Sequence, residues 1–217
     1  MICLWDITHS CKEKTEINAL RTYSDHTDVC ENVQWHNHSE HVFGSVGDDK
    51  HMILWDARTD NPSFKLQAHE APINTLAWHP FSEYVVATGS ADTTVALWDM
   101  RKLKVKLHSF ESHTDEVFQL QWSPFHENVL ASGSLDRRTM VWDMARIGEE
   151  QTPEAAAEGP PELMFVHGGH LGKLTDFAWN EHVPWTAASV AYDNMIQIWQ
   201  ISRDIYDPQP SAGTVNL

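Results

Sequence analysis

Four times along the chain a histidine is followed by a tryptophan nine residues later, a hydroxyl side chain ten further on, an aspartate four beyond that and a second tryptophan after six more. The sets are His26, Trp35, Ser45, Asp49, Trp55; His69, Trp78, Thr88, Asp92, Trp98; His113, Trp122, Ser132, Asp136, Trp142; and His170, Trp179, Ser189, Asp193, Trp199. The distance from the histidine to the second tryptophan is 29 residues every time, whereas successive second tryptophans, counted from Trp5, are 50, 43, 44 and 57 residues apart. All the variation therefore falls between one tryptophan and the next histidine. A fixed internal register with elastic joints means that one folded unit is repeated, and a period of ~40 residues belongs to stacked architectures whose units bury their apolar faces against one another.

The local pattern specifies strands. In "TTVALWD" Val95 and Leu97 point to one face and Ala96 and Trp98 to the other, so both faces are apolar and the strand lies between two layers. "HMILWD" and "TMVWD" read the same way. "PINTLAWHP" and "YVVATGS" supply two more short strands, joined by turn-formers such as His79-Pro80 and Ser90-Ala91-Asp92, with no room for a crossover helix. A buried hydroxyl, imidazole, carboxylate and indole in one sheet would each be costly alone but can satisfy one another. The His-to-Trp-Asp repeat resembles the WD-repeat propeller, and that resemblance implies a hydrogen-bonded chain from Trp to Ser/Thr to His to Asp. The His/Asp pairs, repeated in every unit, read as architecture rather than as acid–base dyads.

The expected fold is all-β: an incomplete WD-repeat propeller of about four and a half blades, against the expected seven that a closer family resemblance implies. Residues 1–23 carry the last two strands of a truncated blade, because "MICLWDI" matches a third strand with Trp5-Asp6 in the Trp-Asp slot. Blades follow at 24–66, 67–110 and 111–148, an acidic Pro-Pro insertion with an outer strand at 149–166, a last blade at 167–201 and a tail at 202–217. Within the insertion "GEEQTPEAAAEGPPEL", Thr152 as N-cap, Pro153 at the first helical position and Gly159-Pro160-Pro161 as a stop permit a short helix.

Composition narrows the function classes. Fifteen basic against 31 acidic residues give a net charge of −16, which repels nucleic acid and draws basic partners. No apolar run is long enough to span a membrane and no secretory leader is visible, so a soluble chain is expected. Cys3, Cys11 and Cys30 form no CxxC pair, which suits free thiols in a reducing compartment. The cluster "HNHSEH" at 36–41 occupies the slot of "HPFSEY" and "SPFHEN" in the neighbouring units and so reads as a turn, without the spacing of a closed zinc site. No phosphate-binding Gly loop, nucleophile elbow or carboxylate pair is present, so neither catalysis, metal nor cofactor is expected.

A surface for partners remains. Five residues past each histidine stand Glu31, Asn74, Phe118 and Thr175, with Asp28, Asp115 and Glu116 nearby, on the rim that carries the His loops and Asp turns. This face suits either ordinary solvated loops or a peptide site in which carboxylates pair with Lys or Arg while Phe118 covers an aliphatic stem.

"ATGSADTTVALWDMRKLKVKLHSFESHTDEVFQLQWSPF", "WDMARIGEEQTPE", "GPPELMFVHGGH" and "MIQIWQ" are similar to the retinoblastoma-binding, Msi-like histone chaperones, and the similarity runs from Ile2 to about Tyr206. The resemblance implies a non-enzymatic nuclear scaffold for chromatin assembly, deacetylation, remodelling and Polycomb-type complexes, with histones and other complex subunits as partners. It assigns basic-peptide contacts on the rim to Glu31, Asn74, Glu116 and Phe118. It also implies a side groove for a histone helix, one wall of which is the insertion with Glu154, Glu158, Pro160 and Pro161. The insertion reads "EAAAEGPP" where that family is usually richer in acidic residues, and Tyr192 stands where an acidic rim residue is usual. A generic WD-repeat adaptor, such as a ubiquitin-ligase substrate receptor, shares the fold and stays open as the alternative.

Overall fold

The computed structural model describes residues 1–6 and 18–207; Cys11 and the tail from residue 208 lie outside the described residues. Among the described residues seventeen strands form five antiparallel sheets in chain order. A two-stranded sheet joins β1 (Ile2–Leu4) and β2 (Arg21–Tyr23). The second sheet holds β3 (Cys30–Trp35), β4 (Val42–Gly47), β5 (His51–Asp56) and β6 (Pro62–Gln67). The third holds β7 (Ile73–Trp78), β8 (Val85–Ser90), β9 (Thr94–Asp99) and β10 (Lys106–Glu111). The fourth holds β11 (Val117–Trp122), β12 (Val129–Ser134), β13 (Thr139–Asp143) and β14 (Leu163–His167), with the insertion between its last two strands. The fifth has three strands, β15 (Leu174–Trp179), β16 (Thr186–Ala191) and β17 (Ile196–Gln200).

The core lies between sheets, not within them, as the two-faced strands require. Val95 and Leu97 of β9 join a layer with Val117, Leu120 and Trp122 of the next sheet, while Ala96 and Trp98 join a layer with Val46, Met52 and Leu54 of the preceding one. Equivalent layers connect the fourth and fifth sheets through Val129, Ala131 and Val141 with Leu174, Phe177 and Trp179, and the first and second through Tyr23 with Phe43 and Trp55. The first-strand tryptophans stitch the layers: Trp78 Nε1 donates to Gln34 O at 3.0 Å, Trp122 to Ala77 O at 3.1 Å and Trp179 to Gln121 O at 3.2 Å. The result is an incomplete β-propeller, a fan of blades whose first strands β3, β7, β11 and β15 lie side by side along the inner edge.

The insertion carries α1 (Pro153–Glu158), capped by Thr152, whose hydroxyl accepts from Ala155 N. A short helix α2 (Arg203–Tyr206) follows the last strand, and Tyr206 stacks on Trp185 at 4.4 Å. Among the described residues no helix is long and apolar enough to cross a membrane.

Candidate functional site

Each complete blade is wired by one polar chain. Trp55, Trp98, Trp142 and Trp199 donate Nε1–H to Ser45, Thr88, Ser132 and Ser189 at 2.8, 2.9, 2.8 and 3.1 Å. Those hydroxyls lie 2.7, 2.8, 2.7 and 2.8 Å from Nε2 of His26, His69, His113 and His170. The histidines reach Asp49, Asp92, Asp136 and Asp193 through Nδ1 at 3.0, 2.9, 2.8 and 3.0 Å. With Nδ1–H donating to the carboxylate, Nε2 is left to accept the hydroxyl proton, so the chain runs indole to hydroxyl to imidazole with every group satisfied.

The aspartates do a second job. Each accepts the backbone N–H two residues on, from His51, Thr94, Arg138 and Met195 at 3.0–3.1 Å. Between them sit Lys50, Thr93, Arg137 and Asn194, all left-handed at φ between 61° and 73°. A side chain with a Cβ is strained there, and the carboxylate clamp is what holds the turn against that strain. Burial would raise the carboxyl pKa values, but the hydrogen bonds from histidine and backbone outweigh it: Asp49, Asp92 and Asp136 are lowered and Asp193 is held down to about 2. The histidine side chains are almost fully enclosed and both ring nitrogens are engaged, which leaves these pairs no approach for a substrate. In 36–41, His36 spends Nε2 on Glu83 O and Nδ1 on the His38 amide, and among the described residues no group of three or more His, Cys, Asp or Glu could hold a metal ion.

The rim residues share a backbone origin. The register between first and second strand slips at Cys30/Asn32, Ile73/Thr75, Val117/Gln119 and Leu174/Asp176, so Glu31, Asn74, Phe118 and Thr175 are the extra residue of a β-bulge in each blade. A bulge frees one residue from the ladder and re-aims its side chain. Asn74 Nδ2 donates to Val117 O at 3.1 Å and reaches Glu116 Oε2 at 3.5 Å, joining two neighbouring blades; Phe118 is half-buried against the layer of the fifth sheet. Glu31 is exposed, and Thr175 turns its hydroxyl back to Val190 O.

The insertion is less uniform than its charge suggests. Glu158, Pro160 and Pro161 line a groove of about 320 Å³ with Arg146, Ala155 and Met164, whereas Glu154 is exposed on α1 outside it. Glu162, one of the insertion's five glutamates, is buried and meets His108 Nε2 of β10 at 2.7 Å, tying the insertion to the preceding blade. On the face opposite the rim, His126, Trp185 and Tyr206 stack in series beside a cleft of about 480 Å³ that nothing in the repeat pattern marks.

The family model for the WD domain, G-beta repeat (WD40), matches residues 17–56, 60–99, 104–143 and 161–200. The chain belongs to the WD-repeat family. Each match ends on the residue after a tetrad tryptophan, at the close of β5, β9, β13 and β17. WD40 domains generally serve as non-catalytic scaffolds that mediate protein–protein interactions, and the chain is a WD-repeat interaction scaffold.

Proposed function

We propose that this scaffold is a nuclear, non-enzymatic, histone-binding subunit of chromatin complexes, taking a basic histone tail on its rim and presenting the insertion groove to a partner helix. The observation that carries this reading is the coupling of Asn74 and Glu116 beside Phe118, with Glu31 raised on a bulge of the same rim. Such a surface offers carboxylates to Lys or Arg heads and an aromatic face to their aliphatic stems, and the net charge of −16 steers basic segments toward it. The groove beside Pro160 and Pro161 is lined by Leu163, Met164 and Phe165 as well as by Glu158, so it offers apolar contact and a carboxylate together. Other subunits of such complexes are the second class of partner. Neither DNA nor RNA is a direct ligand in this reading, because a polyanion lying along the surface needs many basic contacts and the chain has 15 basic against 31 acidic residues.

The test is a titration of a histone-tail peptide against the parent and Glu116→Lys. The lysine replaces attraction with like-charge repulsion and should weaken binding by about 1 kcal/mol or more, with the far-UV spectrum and unfolding midpoint unchanged. Equal affinity for both proteins would refute the rim reading. Rising salt should weaken the parent complex more steeply than the variant complex.

A further inference from the structure

We propose that the rim carries a second, oppositely charged site, at the junction of the last two blades, that binds a phosphomonoester on a peptide, a phosphoserine or phosphothreonine with an apolar neighbour. In a chain with an excess of carboxylates an arginine without a carboxylate partner is the exception. Arg21, Arg58, Arg101, Arg146 and Arg203 pair with Asp60, Asp56, Asp99, Glu149 and Asp207 at 2.6–3.1 Å. The remaining two, Arg137 and Arg138, are adjacent and exposed, and neither guanidinium has a hydrogen-bond or ion-pair partner among the described residues. Asp136, the carboxylate beside them in sequence, is turned inward and occupied by His113, the Thr114 amide and the Arg138 amide.

Both arginines line one cleft of about 230 Å³ with Asp136, Gly168, His170 and Leu171. His170 is committed to Asp193 and Ser189, so it offers the cleft no free nitrogen. A Cβ built on Gly168 would meet nothing within 4 Å, which leaves that wall open to an approaching chain, and Leu171, 83% exposed, forms an apolar wall. Two guanidinium forks side by side ask for more acceptor oxygens than a carboxylate has; a phosphomonoester supplies three, with a charge near −2, and engages both forks. The site is independent of the acidic rim residues and of the reading built on them.

The experiment uses the whole chain and a short fluorescein-labelled peptide with phosphoserine beside leucine, followed by anisotropy. Two control peptides carry serine or glutamate at the same place. The parent should bind the phosphopeptide saturably and each control at least about tenfold more weakly. The double variant Arg137→Asn, Arg138→Gln should lose binding by a factor of about ten or more; asparagine is chosen because it tolerates the left-handed φ of 73° at that position. Equal binding of the serine or glutamate peptide, or unchanged binding by the double variant, would overturn the proposal.

Discussion

The layers between blades and the two outer faces of the fan are built from the same sequence pattern and end in opposite environments. In β9, Val95 and Leu97 are enclosed by the next sheet; at the same two positions of β17, Ile196 and Ile198 are 72% and 77% exposed. At the other end Trp35 is 48% exposed, whereas Trp122, which stands in its place two blades on, is 8% exposed and hydrogen-bonded across the layer to Ala77 O. Alternation thus specifies that a strand has two apolar faces without specifying what covers them. Four layers have a partner sheet in place, but the one over the second sheet is supplied only by the two-stranded sheet, which covers Phe43, Ile53 and Trp55 and leaves Val33 and Trp35 exposed, while the outer face of the last sheet stands open in this structure. Tyr192, Met195, Ile196 and Ile198 of the last sheet are each more than half exposed, an apolar exposure that the inner sheets avoid at the equivalent strand positions.

The largest expected contrast is between Leu97→Asp and Ile198→Asp. Placing a carboxylate without a partner inside the layer should cost about 4 kcal/mol or more and unfold much of the chain, while the same change at the open face should stay within about 0.5 kcal/mol. Urea midpoints at constant slope decide it; similar losses at both positions would show that the end face is covered in solution. Next comes the indole pair. Trp122→Phe leaves Ala77 O without its buried donor and should cost about 1–2 kcal/mol, against less than about 0.5 kcal/mol for Trp35→Phe, which gives up no cross-layer bond. The smallest contrast is in acid. Because folded Asp193 titrates at about 2, below the ordinary value of about 3.9, its contribution is fully present above pH ~4 and is lost as pH falls through 2. The last blade has one covered face and should show its amides exchanging in that window before those of the third sheet; simultaneous exchange would remove the distinction.

Much of this was readable without coordinates because its cause is local. Each tetrad lies within 29 residues, and the need of an indole, a hydroxyl and an imidazole for mutual hydrogen bonds in a dry sheet makes the spacing rigid enough to count. The bulges were not readable. A bulge is a mismatch between a strand and its partner, so nothing in "APINTL" alone marks Asn74 as the residue left out of the ladder. The burial of Glu162 was hidden for a similar reason: its partner His108 is 54 residues away on another blade, and a glutamate in an acidic run carries no sign that an imidazole of the preceding blade lies opposite it.

The sequence by itself determined the unit: which residues repeat, which strand follows which, and where each aspartate must sit to clamp a left-handed turn, since these depend on bonds closed within one blade. Tertiary structure decided everything that requires two blades to meet. It determined which tryptophan is buried and which is open, and it joined Asn74 to Glu116 and Glu162 to His108. It also left Arg137 and Arg138 facing a cleft rather than a carboxylate. Burial and charge pairing are properties of what lies opposite a residue, and in a repeat protein what lies opposite is the neighbouring sheet, whole inside the fan, two strands wide over the second sheet and open beyond the last.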